Sequence, residues 1–287
     1  MNRHPIAINF CPTGMVPTRQ QTPHVPISVS EIVESVHEAS GIGITIAHLH
    51  ARLDDGTPTD SSAVYSRIFD GVRKHCPDVV ICGSSSGRNW PEFERRAAVL
   101  DLQPEMCSLT LSSLNFAGGA SVNEPDMIAR LAARMQERGV VPELECFDPG
   151  MINYGKYLIG KGILKGPLYW NLIFGNVAGM QATPSEFAAA LHAIPGGYVA
   201  VGGIGRAQLK ANAMALAEGL GVRVGLEDNL HYDRARTVLA SNMQLLRRLH
   251  RMMAELELGP MPGAEFRQTV LGRSVAAGPS SELSSMA

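Results

Sequence analysis

Two imidazoles, His48 and His50, close the apolar run Ile42 to Ala47, a pattern that predicts a buried strand from Ile42 to His48 with a metal site at its C-terminal tip. Residues i and i+2 of a strand share a face and lie roughly 7 Å apart along the backbone, so both rings can lean onto one ion. A third ligand is offered far downstream, where the apolar segment Val222 to Leu226 ends in the adjacent carboxylates Glu227 and Asp228. Successive side chains of an extended backbone diverge, which assigns Glu227 to the metal and turns Asp228 toward the substrate or a cation. Two histidines and one carboxylate leave zinc an open position, as catalytic sites do; Mn²⁺, Co²⁺ or Fe²⁺ would accept the same donors. Arg223 shares the face of Glu227 but sits deeper, where a guanidinium must be paired. It is expected to hold Asp228 or bind a substrate oxygen, leaving Asp228 ionised as a base. A hydrogen-bonded histidine pair in a polar mouth is the plainer alternative, although Arg52, Asp54, Asp55 and Gly56 follow at once and make this strand exit unusually polar.

Other loops could hold anions. Cys82 to Arg88 reads Cys-Gly-Ser-Ser-Ser-Gly-Arg, small residues whose amides and hydroxyls can surround a carboxylate or phosphate. Ser84 is expected nearest the axis, with Ser85 and Gly87 as further substrate contacts. Ser108 and Glu145 should project toward the same mouth, Glu145 contacting substrate or supporting those that do. Gly203, Gly205 and Arg206, in Val-Gly-Gly-Ile-Gly-Arg, form a glycine-rich entry to a helix, where a phosphorylated carrier such as coenzyme A could be held by backbone; a tight turn is the competing reading. Asn115 and Phe116, like Asp148 to Gly150, read as loop-fixing elements, and Ser108 and Asn115 are also counted as candidate substrate contacts.

The elements that must position these residues follow a repeating pattern. Strands are predicted at about Ile6 to Cys11, Ile42 to His48, Asp78 to Cys82, Glu105 to Leu111, Val141 to Cys146, Leu168 to Phe174, Tyr198 to Val201 and Val222 to Leu226. Helical segments alternate with them, one opened by the capping box Ser28 to Glu31 and another by Thr183-Pro184-Ser185-Glu186. The last strand is followed by a long amphipathic helix carrying Leu239, Met243, Leu246, Leu249, Met252 and Met253. Eight short β-then-α units without a compositional break predict an α/β fold, a single-domain (β/α)8 TIM barrel over residues 1–275. In such barrels chemistry sits in the loops after the strands, where every cluster above falls. Residues 276–287 lack periodicity and read as a flexible tail.

Composition narrows the function. A net charge of −2 on 287 residues, with scattered basic residues, argues against nucleic acid or an anionic membrane as partner. Five cysteines without CxxC spacing read as reduced, buried thiols of a cytoplasmic protein, and no apolar run approaches a membrane span.

Together the motifs resemble the β-keto acid cleavage enzymes. The resemblance rests on His48-Leu49-His50-Ala51-Arg52 with Asp55 to Thr59, Pro104-Glu105-Met106 with Ser108-Leu109 and Asn115-Phe116, Glu143-Leu144-Glu145, Val201 to Arg206 and Val222 to Asn229. It covers about residues 6–272, and the HxHxR and GLEDN segments are specific as a pair. It implies a zinc-bound TIM barrel, a homo-oligomer with a tetramer favoured, that converts a β-keto acid and acetyl-CoA into acetoacetate and a new acyl-CoA. It further implies His48, His50 and Glu227 as zinc ligands, Arg223 and Asp228 as an acid–base pair, Ser84 as a substrate contact and Glu145 as a matching acidic position. Members that take an amino-bearing substrate look as though they place an acid in the first loop, whereas here Pro12 to Pro17 has none and no carboxylate precedes Glu31. An apolar or neutral tail is therefore expected on the substrate, with Arg19 leaving an anionic group open. Two rival readings are a metal-dependent amidohydrolase-like hydrolase, disfavoured because the HxH sits on strand two, and a non-catalytic acyl-CoA-binding barrel, which has no need for Arg223 and Asp228 beside a metal.

Overall fold

Short apolar strands alternating with amphipathic helices can bury both kinds of face if the strands pair in parallel and the helices pack outside them. In a computed structural model, which describes residues 4–273, they do so as a closed cylinder. The tail expected over 276–287 lies outside the described residues. The strands are β1 (Ile8–Phe10), β2 (Ile46–His48), β3 (Val80–Gly83), β4 (Met106–Thr110), β5 (Val141–Cys146), β6 (Tyr169–Phe174), β7 (Tyr198–Gly203) and β8 (Gly221–Val224). They close in the order β7-β8-β1-β2-β3-β4-β5-β6, every pair parallel. Helices α1 (Val29–Ile42), α2 (Ser62–His75), α3 (Phe93–Ala97), α4 (Pro125–Glu137), α5 (Pro149–Gly160), α6 (Pro184–Ala193), α7 (Ala207–Ala217) and α8 (Asn242–Glu255) follow the strands in turn, and α9 (Gly263–Thr269) ends the described chain. This is a (β/α)8 TIM barrel.

The barrel interior is divided along its axis. At the N-terminal end Ile46, Val80, Met106, Tyr169 and Phe266 form one apolar cluster. Phe266, from α9, meets Tyr169 and Tyr198 edge-on with ring centroids 5.8 Å apart, so aromatic area fills this end. Farther up the strands the inward positions turn polar. Register sets Arg223 beside Asn9, His48 beside Cys82, Ser108 beside Glu143 and Glu145 beside Asn171. Asn9, His48, Glu143, Asn171 and Arg223 are all buried, and buried polar groups are tolerated only when paired with one another. The fold therefore places a closed polar layer on an apolar base, with the loops above it.

Three local departures from the periodicity have physical causes. Ile42 belongs to α1 rather than to β2, because Gly43 at φ +112° ends the helix and returns its N–H to Ala39. Strand β8 stops at Val224, not Leu226: Gly225 takes φ +156°, and a side chain there would meet the Cys11 carbonyl oxygen at 2.0 Å. Leu239 precedes α8, whose true start is the capping box of Ser241 and Gln244. Periodicity also missed a hairpin, Leu114–Phe116 with Gly119–Ser121, inserted after β4.

The capping box at α1 is reciprocal, as its residues predict. Ser28 Oγ accepts from the Glu31 amide at 3.3 Å, and Glu31 accepts from the Ser28 and Ile27 amides at 2.9 Å. Arg19 donates to the same carboxylate at 2.6 Å and, with the amides, brings Glu31 down to about 2. A carboxyl lowered from 4.5 contributes stability that is fully present above 4.5 and is lost as pH falls through about 2. Glu31→Gln should thus destabilise the protein by about 1 kcal/mol at neutral pH, a value discounted for solvent screening. Urea unfolding of both proteins across pH should show the difference shrinking below pH 4.5; a gap that stays constant down to pH 2 would refute the assignment.

Candidate active site

Where β2 and β8 end, the side chains of His48, His50 and Glu227 meet. The two Nε2 atoms are 3.2 Å apart, Glu227 Oε1 lies 3.2 Å from His50 Nε2 and 3.8 Å from His48 Nε2, and all three donor atoms fall within 4.8 Å of one another. His50 lies two residues past the end of β2 at His48, yet the two ring centroids are 5.1 Å apart. Glu227 and Asp228 lie on the turn that follows Gly225 rather than on extended strand. The turn lets both neighbouring carboxylates face one guanidinium, which an extended backbone would forbid. Arg223 donates from Nε to Asp228 at 2.9 Å and from Nη2 to Glu227 at 2.7 Å. Its Nη1 is 3.5 Å from Glu145 and 3.9 Å from Glu143. Gly14 completes this wall: at φ +65° its Cα packs where any Cβ would sit 2.6 Å from Glu227 Cγ.

Glu143 is the residue that sequence reasoning quoted but gave no role. It is fully buried, and Asn9, Asn171, His48 Nδ1 and the Cys82 thiol all point at its two oxygens, at 2.5, 2.8, 2.7 and 3.2 Å. Burial opposes its charge, but His48 and Arg223 outweigh burial and hold it well below the usual carboxylate range. An ionised carboxylate accepts only, so His48 must donate from Nδ1 and present Nε2 to His50 and Glu227. Its signal in the sequence was alternation: Glu143 and Glu145 share one face of β5, and both therefore enter the barrel.

Charge decides what this cluster can hold. Burial pushes Asp228 and Glu145 above the usual carboxylate range, and Arg223 only partly opposes that. For His48, burial is outweighed by Glu143 and Glu227, which favour a proton, whereas burial lowers His50. Four carboxylates, Glu143, Glu145, Glu227 and Asp228, surround the single guanidinium of Arg223, and the proton that Glu143 and Glu227 draw onto His48 marks where further positive charge is favoured. Glu227 Oε2 is buried without a hydrogen-bond partner among the described residues, a free acceptor beside two imidazole nitrogens. His48, Cys82 and Glu143 form a second group of compatible spacing. There, however, the Glu143 oxygens are already occupied by four donors, and burial keeps the Cys82 thiol protonated. The first group fits a divalent cation and the second does not. Neither includes His192 or His231, which the hydrolase reading would have needed.

Above the polar layer opens a cavity of about 450 Å³. His50, Ser84, Glu145, Arg223, Glu227 and Asp228 line it, so six of the expected site residues share one space. Ser84 takes a 3.4 Å hydrogen bond from Ser108. Ser85 points away, its hydroxyl bound to the Ser108 carbonyl and its own carbonyl to Arg96, and a Cβ at Gly87 would meet Arg96 Nη1 at 2.5 Å; both shape the loop and neither lines the cavity. Asn115 is exposed, its carbonyl taken by Asn176, while its neighbours Leu114 and Phe116 line the space. Gly203 lets α7 approach β7, since a Cβ would sit 2.7 Å from the Ala207 backbone. Gly205 donates its N–H to the Asp228 carbonyl at 2.7 Å, which pins the carboxylate turn, and Arg206 is exposed. Arg52, buried, ties the loops after β1 and β2 together through the Gly14 and Pro17 carbonyls. Arg19 is engaged by Glu31, and Asp54 and Asp55 are exposed.

This geometry has relatives. A family model described as beta-keto acid cleavage enzyme matches residues 5–271. The 3-keto-5-aminohexanoate cleavage enzyme of Acetoanaerobium sticklandii is 35% identical over 263 residues, covering 91% of this chain and 96% of that protein. The 3-oxoadipate:acetyl-CoA acetyltransferase of Cupriavidus necator is 35% identical over 246 residues, covering 84% and 86%. Among solved structures, a ternary complex of ObcA with a C4-CoA adduct and oxalate superposes with a TM-score of 0.73 at 20% identity, over 86% of this chain and 67% of that one, a likeness of fold. The matching model and both relatives span nearly the whole barrel, and the chain belongs to the β-keto acid cleavage enzyme family.

Proposed function

We propose that the protein condenses a β-keto acid with acetyl-CoA and releases acetoacetate and a new acyl-CoA, with a zinc ion held by His48, His50 and Glu227. The observation that carries this reading is the placing of an Arg223–Asp228 pair beside a cation-deficient His-His-Glu cluster on the floor of one cavity. In the balanced reaction C2 of the acid gives up a proton and attacks the acetyl thioester carbonyl, whose C–S bond breaks; the released coenzyme A adds to the original keto carbonyl, the C2–C3 bond breaks to leave the new acyl-CoA, and the proton returns to C2 to complete acetoacetate. A cation at this cluster would supply Lewis-acid polarisation of the substrate oxygens, worth several kcal/mol.

The chain's own groups account for the rest. Asp228 is held by two hydrogen bonds from Arg223, at 2.9 and 3.3 Å, and burial makes it a stronger base than an exposed carboxylate. It takes the proton from C2. Arg223 keeps its charge because, although burial opposes it, Asp228 and Glu227 favour the cation; it steadies Asp228 in the ionised form and orients it. Glu145, fixed by Thr110 at 2.7 Å, stands 3.5 Å from Arg223 and balances that charge when Asp228 is protonated. Ser84 offers a hydroxyl to the substrate carboxylate. Met15, Val16, Pro17, Phe116, Phe147 and Ile173 line the cavity above and exclude water from a carbanion that water would quench. Glu143 positions His48, since a ligating imidazole is oriented by the acceptor on its other nitrogen.

We further place the protein in the cytoplasm as a homo-oligomer, a tetramer by family. Supporting the compartment, the five cysteines are free and buried, and no helix among the described residues is long and apolar enough to cross a membrane.

Acetyl-CoA loss that depends on an added β-keto acid, followed across a panel of such acids with acetoacetate as product, is the direct assay. A hydrolase would ignore acetyl-CoA, and a sensor would bind it without turnover. Asp228→Asn should lower kcat by about 10²- to 10⁴-fold with little change in bound metal. Glu143→Gln should weaken metal affinity by about 10- to 100-fold in chelator competition; if affinity is unchanged, Glu143 does not position His48. His48→Ala should lose both metal and activity, and retention of both would remove the ligand assignment.

A further inference from the structure

Around the barrel mouth nearly every buried guanidinium is spoken for. Arg52 donates to the carbonyls of Gly14 and Pro17, Arg96 to those of Ser85 and Val122 and to Asn123, and Arg223 to two carboxylates. Arg88 is different. It lines the cavity, and its guanidinium stacks on the Phe116 ring with its central carbon 4.0 Å from the centroid. Only its backbone amide makes a hydrogen bond, to Ser86 Oγ at 3.3 Å. Among the described residues its side chain makes no hydrogen bond and has no carboxylate within 4.0 Å. A guanidinium held over an aromatic face still has N–H groups to offer, and these can receive a carboxylate through two parallel hydrogen bonds. Phe116 thus supports the guanidinium from one side, and Ser86 also lines the cavity wall.

We propose that Arg88 is the receptor for a second carboxylate, at the far end of the β-keto acid, and that the preferred substrates are β-keto dicarboxylic acids. This rests on the cleavage reading above and names the substrate class for that site. The carboxylate next to the reacting carbon belongs at the floor, with Asp228 and the His-His-Glu cluster, and Arg88 forms no ion pair with Glu145, Glu227 or Asp228. The anion it awaits is therefore a different one. Arg88 lines the same cavity of about 450 Å³ as Glu145, Glu227 and Asp228, which puts it within the span of a small substrate. Arg19, the cation that the sequence offered for this purpose, is occupied by Glu31. The first-loop residues Met15, Val16 and Pro17 give the cavity no acid, so nothing there opposes a negatively charged tail.

Two six-carbon probes isolate the effect: 3-oxoadipate, which carries the distal carboxylate, and 3-oxohexanoate, which lacks it. In the wild type kcat/KM with acetyl-CoA should favour the diacid by at least about 10-fold, and Arg88→Met should shrink that ratio by about 10- to 100-fold, while Arg88→Lys restores part of it. Calorimetric titration of each acid into metal-loaded protein without acetyl-CoA should show the same Arg88-dependent preference. Binding preference without acetyl-CoA consumption would uphold the anion subsite and sink the cleavage reading. Turnover that ignores the distal carboxylate, or a ratio untouched by Arg88→Met, would overturn the subsite and leave cleavage standing. A rise confined to the KM for acetyl-CoA would likewise overturn it, by showing that the anion is a phosphate of the carrier.

Discussion

Arg223 is a charge that the barrel cannot bury alone. A fully buried guanidinium costs several kcal/mol unless its partners are close and well aligned, and the upper barrel is arranged around that requirement. Asp228 and Glu227 meet it from a turn, Glu145 and Glu143 from β5, and Asn9 stands beside it in register on β1. Because carboxylates outnumber the cation, the layer attracts positive charge at the two histidines. The same interaction draws the acids together and leaves a His-His-Glu group whose spacing fits a divalent cation.

That arrangement depends on a few backbone devices. Gly225 ends β8 where no side chain would fit against Cys11, and the turn it starts swings Glu227 and Asp228 toward one guanidinium. Gly205 then ties the turn to the loop after β7 through the Asp228 carbonyl. A glycine-rich loop that could have gripped a phosphate thus has one of its amides engaged in holding the base in place. Beneath, Glu143 gathers four donors and sets which nitrogen His48 turns upward. Catalytic geometry of this kind rests on supporting groups as much as on those that touch substrate.

The walls of the same cavity are built differently from its floor. The floor is a polar layer shared across strands, whereas the walls come from the loops that follow the strands, among them the hairpin that carries Phe116. Loops on a rigid cylinder can change without disturbing the chemistry beneath them. Arg88, held over Phe116 of that hairpin, belongs to this wall rather than to the polar floor.

Much of this was legible in the chain. Strand and helix periods depend on local side-chain alternation, and the β-then-α repeat specified the barrel because few other layouts bury such faces. The histidine pair and the Glu227–Asp228 doublet were visible for the same reason: they break apolar runs abruptly. What only the tertiary structure decided was which partners those residues meet. The turn after Gly225, the role of Glu143, the capture of Arg19 by Glu31 and the free fork of Arg88 each depend on contacts between segments far apart in sequence, or on a backbone angle that composition does not reveal. Glu143 and Asn9, 134 positions apart along the chain, become neighbours only because the sheet closes, and closure is a property of the whole cylinder.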